Sequence, residues 1–149
     1  MPIHNSEIAD VFSQVADLLE IEGANEFRVR AYRKGARTIK GYPRSMAELI
    51  DEGQDLTELS GVGKDLAGKI QEIVKTGGLR QLEEIKQRTP AGLARMLKIE
   101  GLGPKRVQQL YEELDITSLD QLEKAAKNGQ IQKLDGLGPK TEENILQDL

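Results

Sequence analysis

The chain of 149 residues contains no cysteine and one histidine, His4, which excludes disulfides, thiolate metal sites and cysteine nucleophiles and fits an intracellular protein. Tryptophan is absent too. With two phenylalanines and three tyrosines, a core has to be aliphatic and spread among small units. No apolar run approaches the ~20 residues that span a bilayer, and the N-terminus lacks the basic-then-apolar layout of a secretory signal. A soluble, cytoplasmic protein without membrane contact is expected. No segment alternates with period two for long enough to make a strand, so the fold class is all-α. An excess of positive charge is also missing: the net charge is −4, an objection to nucleic-acid binding that only the distribution of charge can answer.

What the sequence does have is an internal repeat. Leu59, Ser60, Gly61, Val62 and Gly63 return as Ile99 to Gly103 and as Leu134 to Gly138, each time with a helical pattern starting just after the second glycine. Glycine reaches positive φ without a Cβ penalty, so two glycines around one aliphatic residue make a tight hairpin with open amides. The aliphatic residue turns inward, and the helix start adds free N–H groups and a positive dipole end that favour a phosphate. Pro104 with Lys105 and Pro139 with Lys140 follow the second glycine in two copies, suiting a first helical position and a phosphate contact. This looks like the helix-hairpin-helix motif, which holds a nucleic-acid backbone without reading bases. The third copy has Glu142 where the others have Ala67 and Val107, so its packing is the doubtful one and a structural role is expected for it.

Charge falls in blocks: −5 over residues 1–25, +6 over 26–44, −5 over 45–62, +5 over 63–106 and −5 over 107–149. Two basic blocks on an acidic body make a candidate stripe. The first contains a basic amphipathic helix from Glu26 to about Lys40, capped by Asn25. It sets Val29, Tyr32, Ala36 and Ile39 against Arg30, Lys34 and Arg37, with Arg33 at the boundary. A membrane surface or a partner helix is the rival for this face, but the apolar side is narrow and suits packing on the first helix. Arg28 lies at its edge. Asn5 and Ser6 are expected to cap the first helix, Ser45 with Glu48 a short third helix, and Thr89 with Pro90 another, while Ser118 with Gln121 caps a later one. Two units follow: residues 1–88, a small helical domain with the first hairpin, and 89–149, a subdomain with the second and third.

The residues then match something specific. Arg30 to Lys34, Tyr42 and Pro43, Leu59 to Gly63, Ala67 to Ile70 and Thr76 to Glu83 resemble, in order and spacing, the amino-terminal lyase domain of family X DNA polymerases. Residues 89–125, with Ile99 to Pro104 and Ile116 to Leu119, look like the DNA-binding subdomain that follows it. The third hairpin looks like a feature of bacterial and archaeal members.

The resemblance implies sequence-nonspecific binding of gapped or nicked, 5′-phosphorylated DNA, as part of base excision repair. The implied contacts are Arg28, Arg30, Tyr32, Arg33, Lys34, Arg37, Gly61, Gly63 and Lys64 in the first unit. In the second they are Gly101, Gly103, Lys105, Arg106, Gly136, Gly138 and Lys140. Arg28, Tyr32 and Lys64 would form the 5′-phosphate pocket. Lys69 stands where the family carries its Schiff-base nucleophile for 5′-deoxyribose-phosphate lyase chemistry, in which an unprotonated amine attacks the sugar aldehyde before β-elimination. An apolar face and neighbouring cations are expected to lower its pKa; a surface lysine that only snorkels is the plain alternative.

Three departures count against the enzymatic half: Asp65 replaces a phosphate-pocket lysine, Phe27 a histidine and Gly68 an acidic residue. No cofactor is required, but in this family the hairpins also hold Na+ or K+ on backbone carbonyls, here those of Thr57, Leu59, Val62, Leu97, Ile99 and Leu102. The carboxylate cluster that polymerisation needs is missing, so the chain is expected to be a fragment whose C-terminal polymerase domains lie elsewhere. Two rivals stand beside this reading: a stand-alone helix-hairpin-helix adaptor for junctions or repair complexes, and an acidic helical protein-interaction module.

Overall fold

A computed structural model describes residues 3–149. The described residues form α-helices and two 3₁₀ turns, with no strand, as the all-α reading expects. In order these are α1 (Asn5–Ile21), α2 (Glu26–Lys40), α3 (Met46–Asp51), a 3₁₀ turn (Leu56–Glu58), α4 (Lys64–Thr76), α5 (Arg80–Arg88), α6 (Ala91–Met96), α7 (Pro104–Leu114), α8 (Leu119–Lys127), a second 3₁₀ turn (Ile131–Lys133) and α9 (Pro139–Asp148). The described residues gather into two compact units, one of residues 3–19 and 24–85, the other of residues 20–23 and 86–149.

In the first unit, Ile8, Phe12, Val15 and Leu19 of α1 are buried with Val29, Tyr32 and Ile39 of α2 and Ile70 and Ile73 of α4. The Phe12 and Tyr32 rings meet edge to face at 5.7 Å, a geometry that aromatic quadrupoles favour. Gly35 lets α4 come close, since a Cβ there would lie 3.0 Å from Leu66. The second unit is built around Leu93, Met96, Val107, Leu110, Leu122, Ile131 and Ile145. Gly92 is required there by close approach: a Cβ would meet the Thr117 carbonyl oxygen at 2.0 Å.

Caps decide where several helices begin, and three of the expected ones are replaced. Asn25 does cap α2, its side chain accepting from the Phe27 amide at 2.7 Å. Asn5 does not cap α1; the His4 carbonyl accepts from Glu7 and Ile8 instead. The Asn5 side chain reaches across the fold, donating to the Arg44 carbonyl and accepting from the Met46 amide, both at 2.8 Å. Ser45, the N-cap of α3, makes no side-chain cap bond, and the first amide of that helix, Met46 N–H, is held by Asn5 instead. Pro90, not Thr89, is the N-cap of α6; Thr89 is buried, its hydroxyl 3.4 Å from Glu22. Ser118 caps α8 through the Gln121 amide as expected.

The doubtful packing of the third hairpin is also corrected. Glu142 is 6% exposed, and its Oε2 accepts from the Gln132 amide at 2.9 Å, tying α9 to the preceding 3₁₀ turn. A buried carboxylate is tolerated where such a bond satisfies it. Glu142→Ala should cost about 1–3 kcal/mol by leaving the Gln132 amide unpaired, with Glu142→Gln costing less. Urea unfolding of the two variants checks this; equal losses would show that the acceptor is unimportant.

Candidate nucleic-acid interface

The three hairpins share one backbone geometry. In each, a 3₁₀ turn or the last turn of a short helix leads into a second reverse turn, closed by Val62 N–H to Leu59 O, Leu102 N–H to Ile99 O, and Leu137 N–H to Leu134 O at 3.1–3.2 Å. The third residue of each turn is left-handed: φ is +76° at Gly61, +89° at Gly101 and +78° at Gly136. A type II turn requires this, and it makes glycine the fitting residue. Val62, Leu102 and Leu137 point into the core.

The second glycine of each pair is different. Gly63, Gly103 and Gly138 have negative φ and cap the N-termini of α4, α7 and α9, and a Cβ on any of them would meet nothing within 4 Å. Neither strain nor crowding inside the chain calls for glycine here, and at an N-cap serine or aspartate would serve better. The side chain is missing where only an approaching ligand would need the room.

In the first unit, α2 docks directly on hairpin 1. Thr38 Oγ1 donates to the Ser60 carbonyl at 2.8 Å, and Lys34 lies across Gly61, where a Cβ would come within 2.9 Å of the lysine side chain. The basic helix and the hairpin are therefore one surface. Thr38 was not singled out by sequence, though its position four residues after Lys34 puts it on the same face. Asp55 holds the 3₁₀ turn before the hairpin by accepting from the Thr57 amide and hydroxyl. Those bonds, with the Lys64 charge nearby, keep its carboxyl below the usual range.

The expected contact residues divide. Arg28, Lys34 and Arg37 on α2, and Lys64, Lys105 and Lys140 at the helix starts, are exposed. Arg30 pairs with Glu26 at 3.2 Å and lies 5.7 Å from the Phe27 ring centroid; Arg33 pairs with Asp17 at 3.1 Å. Arg106 folds back to donate to the Gly101 carbonyl at 2.8 Å, so it braces the hairpin. Phe27 is 77% exposed, beside two arginines, and was noticed in the sequence only as a departure.

Tyr32 departs most from the expected 5′-phosphate pocket. It is buried, and its hydroxyl donates to Gln81 at 3.0 Å instead of standing open with Arg28 and Lys64. Its ring faces Lys69, with Nζ 5.7 Å from the centroid, and Lys69 donates to Asp65 at 2.6 Å. Partial burial acts to lower the Lys69 pKa, but Asp65 and the Tyr32 hydroxyl outweigh it and hold the ammonium above the usual lysine value. The lowered pKa expected from sequence is thereby corrected: the decisive neighbour is a carboxylate one turn away.

The carbonyls expected to hold a monovalent cation lie on the hairpins, and those of Leu59 and Ile99 each already accept one turn bond. Leu97, Ile99 and Leu102 border an open depression of about 660 Å³ at hairpin 2, with Gly101, Gly103 and Lys105 on its rim. Among the described residues no group of three or more His, Asp or Glu side chains is placed to hold a metal, and no helix is long and apolar enough to cross a membrane.

Comparison with known proteins bears on this geometry. A family described as a helix-hairpin-helix domain matches residues 3–79, and a SAM-like helix-hairpin-helix tandem matches residues 54–114 and again 93–149. The chain belongs to the helix-hairpin-helix family. It is 35% identical over 147 residues, 99% of its length, to the DNA polymerase/3′-5′ exonuclease PolX of Bacillus subtilis, of which it covers 25%. It is 26% identical over 110 residues to DNA polymerase lambda of Rattus norvegicus (74% of this chain, 18% of the relative) and 29% identical over 134 residues to that of Arabidopsis thaliana (86% and 24%). The chain is thus similar to a part of these family X DNA polymerases and spans a quarter or less of their length. The two tandem matches share hairpin 2, consistent with three hairpins in series.

Proposed function

We propose that this chain is the DNA-holding part of a family X repair polymerase, binding gapped or nicked DNA through the phosphate backbone and the 5′-phosphate. The observation that carries this reading is the open second glycine of each hairpin, at a helix N-terminus and beside an exposed lysine. Backbone amides and a dipole favour a phosphate oxygen at such a place, and contacts of this kind carry no sequence information. Hairpin 1 with Lys34, Lys64 and Arg28 takes the 5′-phosphate side of the gap. Hairpin 2 with Lys105 takes the other side, hairpin 3 with Lys140 adds a further backbone contact, and a monovalent cation sits on the hairpin carbonyls. The polymerising domains lie elsewhere in the full polymerase, and the setting is cytoplasmic. An acidic interaction module accounts less well for three side-chain-free helix starts with lysines beside them.

In this reading Lys69, on the helix that hairpin 1 starts, contributes the charge of an ammonium. Schiff-base chemistry at Lys69 requires the neutral amine, which the Asp65 pairing disfavours, so lyase action is the weaker half of the proposal.

Gapped DNA with a 5′-phosphate should bind more tightly than the same DNA without it; equal affinities would remove the 5′-end pocket. Gly103→Val should leave the fold intact, since its Cβ meets open space, yet weaken binding about tenfold, or about 1.4 kcal/mol, on every sequence tested. Loss on some sequences alone would contradict a backbone contact. For lyase action, borohydride trapping on a 5′-deoxyribose-phosphate end should rise with pH and rise again in Asp65→Asn, which loses the carboxylate that keeps Lys69 protonated. Trapping undiminished in Lys69→Ala would take Lys69 out of the role.

A further inference from the structure

The cations of α2 do not all face hairpin 1. Arg33, Arg37 and Lys40 line a separate groove of about 350 Å³ against α1, whose opposite wall carries the Ser6 and Ser13 hydroxyls and the Asp10 carboxylate. Ala9 and Ala36, small residues on the two helices, leave room between them. Arg33 is already paired with Asp17, and Asp10 accepts from Gln14 at 2.7 Å. Among the described residues Arg37 and Lys40 have no ion pair, unlike Arg30 and Arg33 on the same helix.

Position on the helix links this groove to the hairpin. At about 100° per residue, Lys34, Arg37, Arg33 and Lys40 fall in that order on one arc of roughly 120°. One end of the arc, Lys34, lies on Gly61; the other lines the α1 groove. A strand leaving hairpin 1 would therefore meet Lys34, Arg37 and Lys40 in turn round α2, with Arg33, held by Asp17, between the last two, and then two hydroxyl donors beyond them.

We infer that the α1–α2 groove is a second polyanion site, which takes the phosphodiester backbone of single-stranded DNA continuing past hairpin 1. The inference rests on the proposed DNA-holding role. Arg37 and Lys40 neutralise phosphates in the groove, while Ser6 and Ser13 donate to phosphate oxygens. No base is read. An acidic peptide would also meet the cations. It is less favoured because the arc runs continuously into a hairpin built for phosphate.

The test is a titration of the full chain with 5′-phosphorylated single-stranded oligonucleotides, short and long, across a range of salt. The native chain should bind the long oligonucleotide more tightly and with a steeper salt dependence. In the Arg37→Ala/Lys40→Ala double variant that increment should disappear, the salt slope on the long oligonucleotide becoming shallower by about 1.4 if each lost cation released one single-strand counterion set. Ser13→Asp, which adds charge to the opposite wall, should reduce the increment by the same route. A length increment that survives in both variants overturns the groove and leaves the hairpin reading standing. Failure of the native chain to bind either oligonucleotide or gapped duplex overturns both readings. Binding of polyglutamate that is lost in the double variant, with the DNA increment unchanged, overturns the groove as a nucleic-acid site and assigns it to a protein.

Discussion

Everything in this molecule that faces a ligand depends on one backbone constraint: a reverse turn whose third residue must be left-handed, followed two residues later by a helix N-cap. The left-handed glycine folds the chain back on itself, the aliphatic residue after it anchors the hairpin in the core, and the second glycine presents the first amides of the next helix with no side chain in front of them. Because the geometry is set by turn bonds and one buried side chain, it survives large changes around it. Hairpin 3 keeps it although the helix behind carries a buried glutamate where the other two carry alanine and valine.

The rest of each unit converts that geometry into a charged surface. In the first unit the conversion depends on α2, which is fastened to hairpin 1 by Thr38 and lays Lys34 over Gly61. An acidic chain thereby keeps a positive surface where it is wanted, which matters more for a polyanion than net charge does. The same unit shows why the enzymatic half of the family resemblance is weak here. A nucleophilic lysine needs a neighbourhood that disfavours its charge, whereas Lys69 has a carboxylate at 2.6 Å and the electron-rich face of Tyr32. That is a site suited to an ammonium that binds.

The features legible in the sequence were the local ones. The hairpins, Asn25 as a cap and the apolar faces of the helices follow from glycine conformations and helical spacing within a few residues. What escaped was set by partners distant in the chain. Asn5 abandons α1 to bridge Arg44 and Met46, and Tyr32 turns its hydroxyl to Gln81, 49 residues away; no windowed pattern contains such pairs. Glu142 was read as a packing defect because the amide it accepts from, Gln132, becomes available only once the second 3₁₀ turn forms. The Asp65–Lys69 pair is the instructive exception. Its spacing of four residues on a helix was visible, yet its consequence for the amine depended on knowing that Lys69 is also packed against Tyr32.

The central claim is that the hairpin backbones themselves are the contact. It is tested most directly by following the backbone amides in ¹H–¹⁵N spectra during titration with gapped, 5′-phosphorylated DNA. The account predicts the largest shifts at the amides of Gly61, Gly63 and Lys64 and of Gly101, Gly103 and Lys105, independent of base sequence and diminished by salt. Shifts that leave these glycines unmoved while DNA is bound would contradict it.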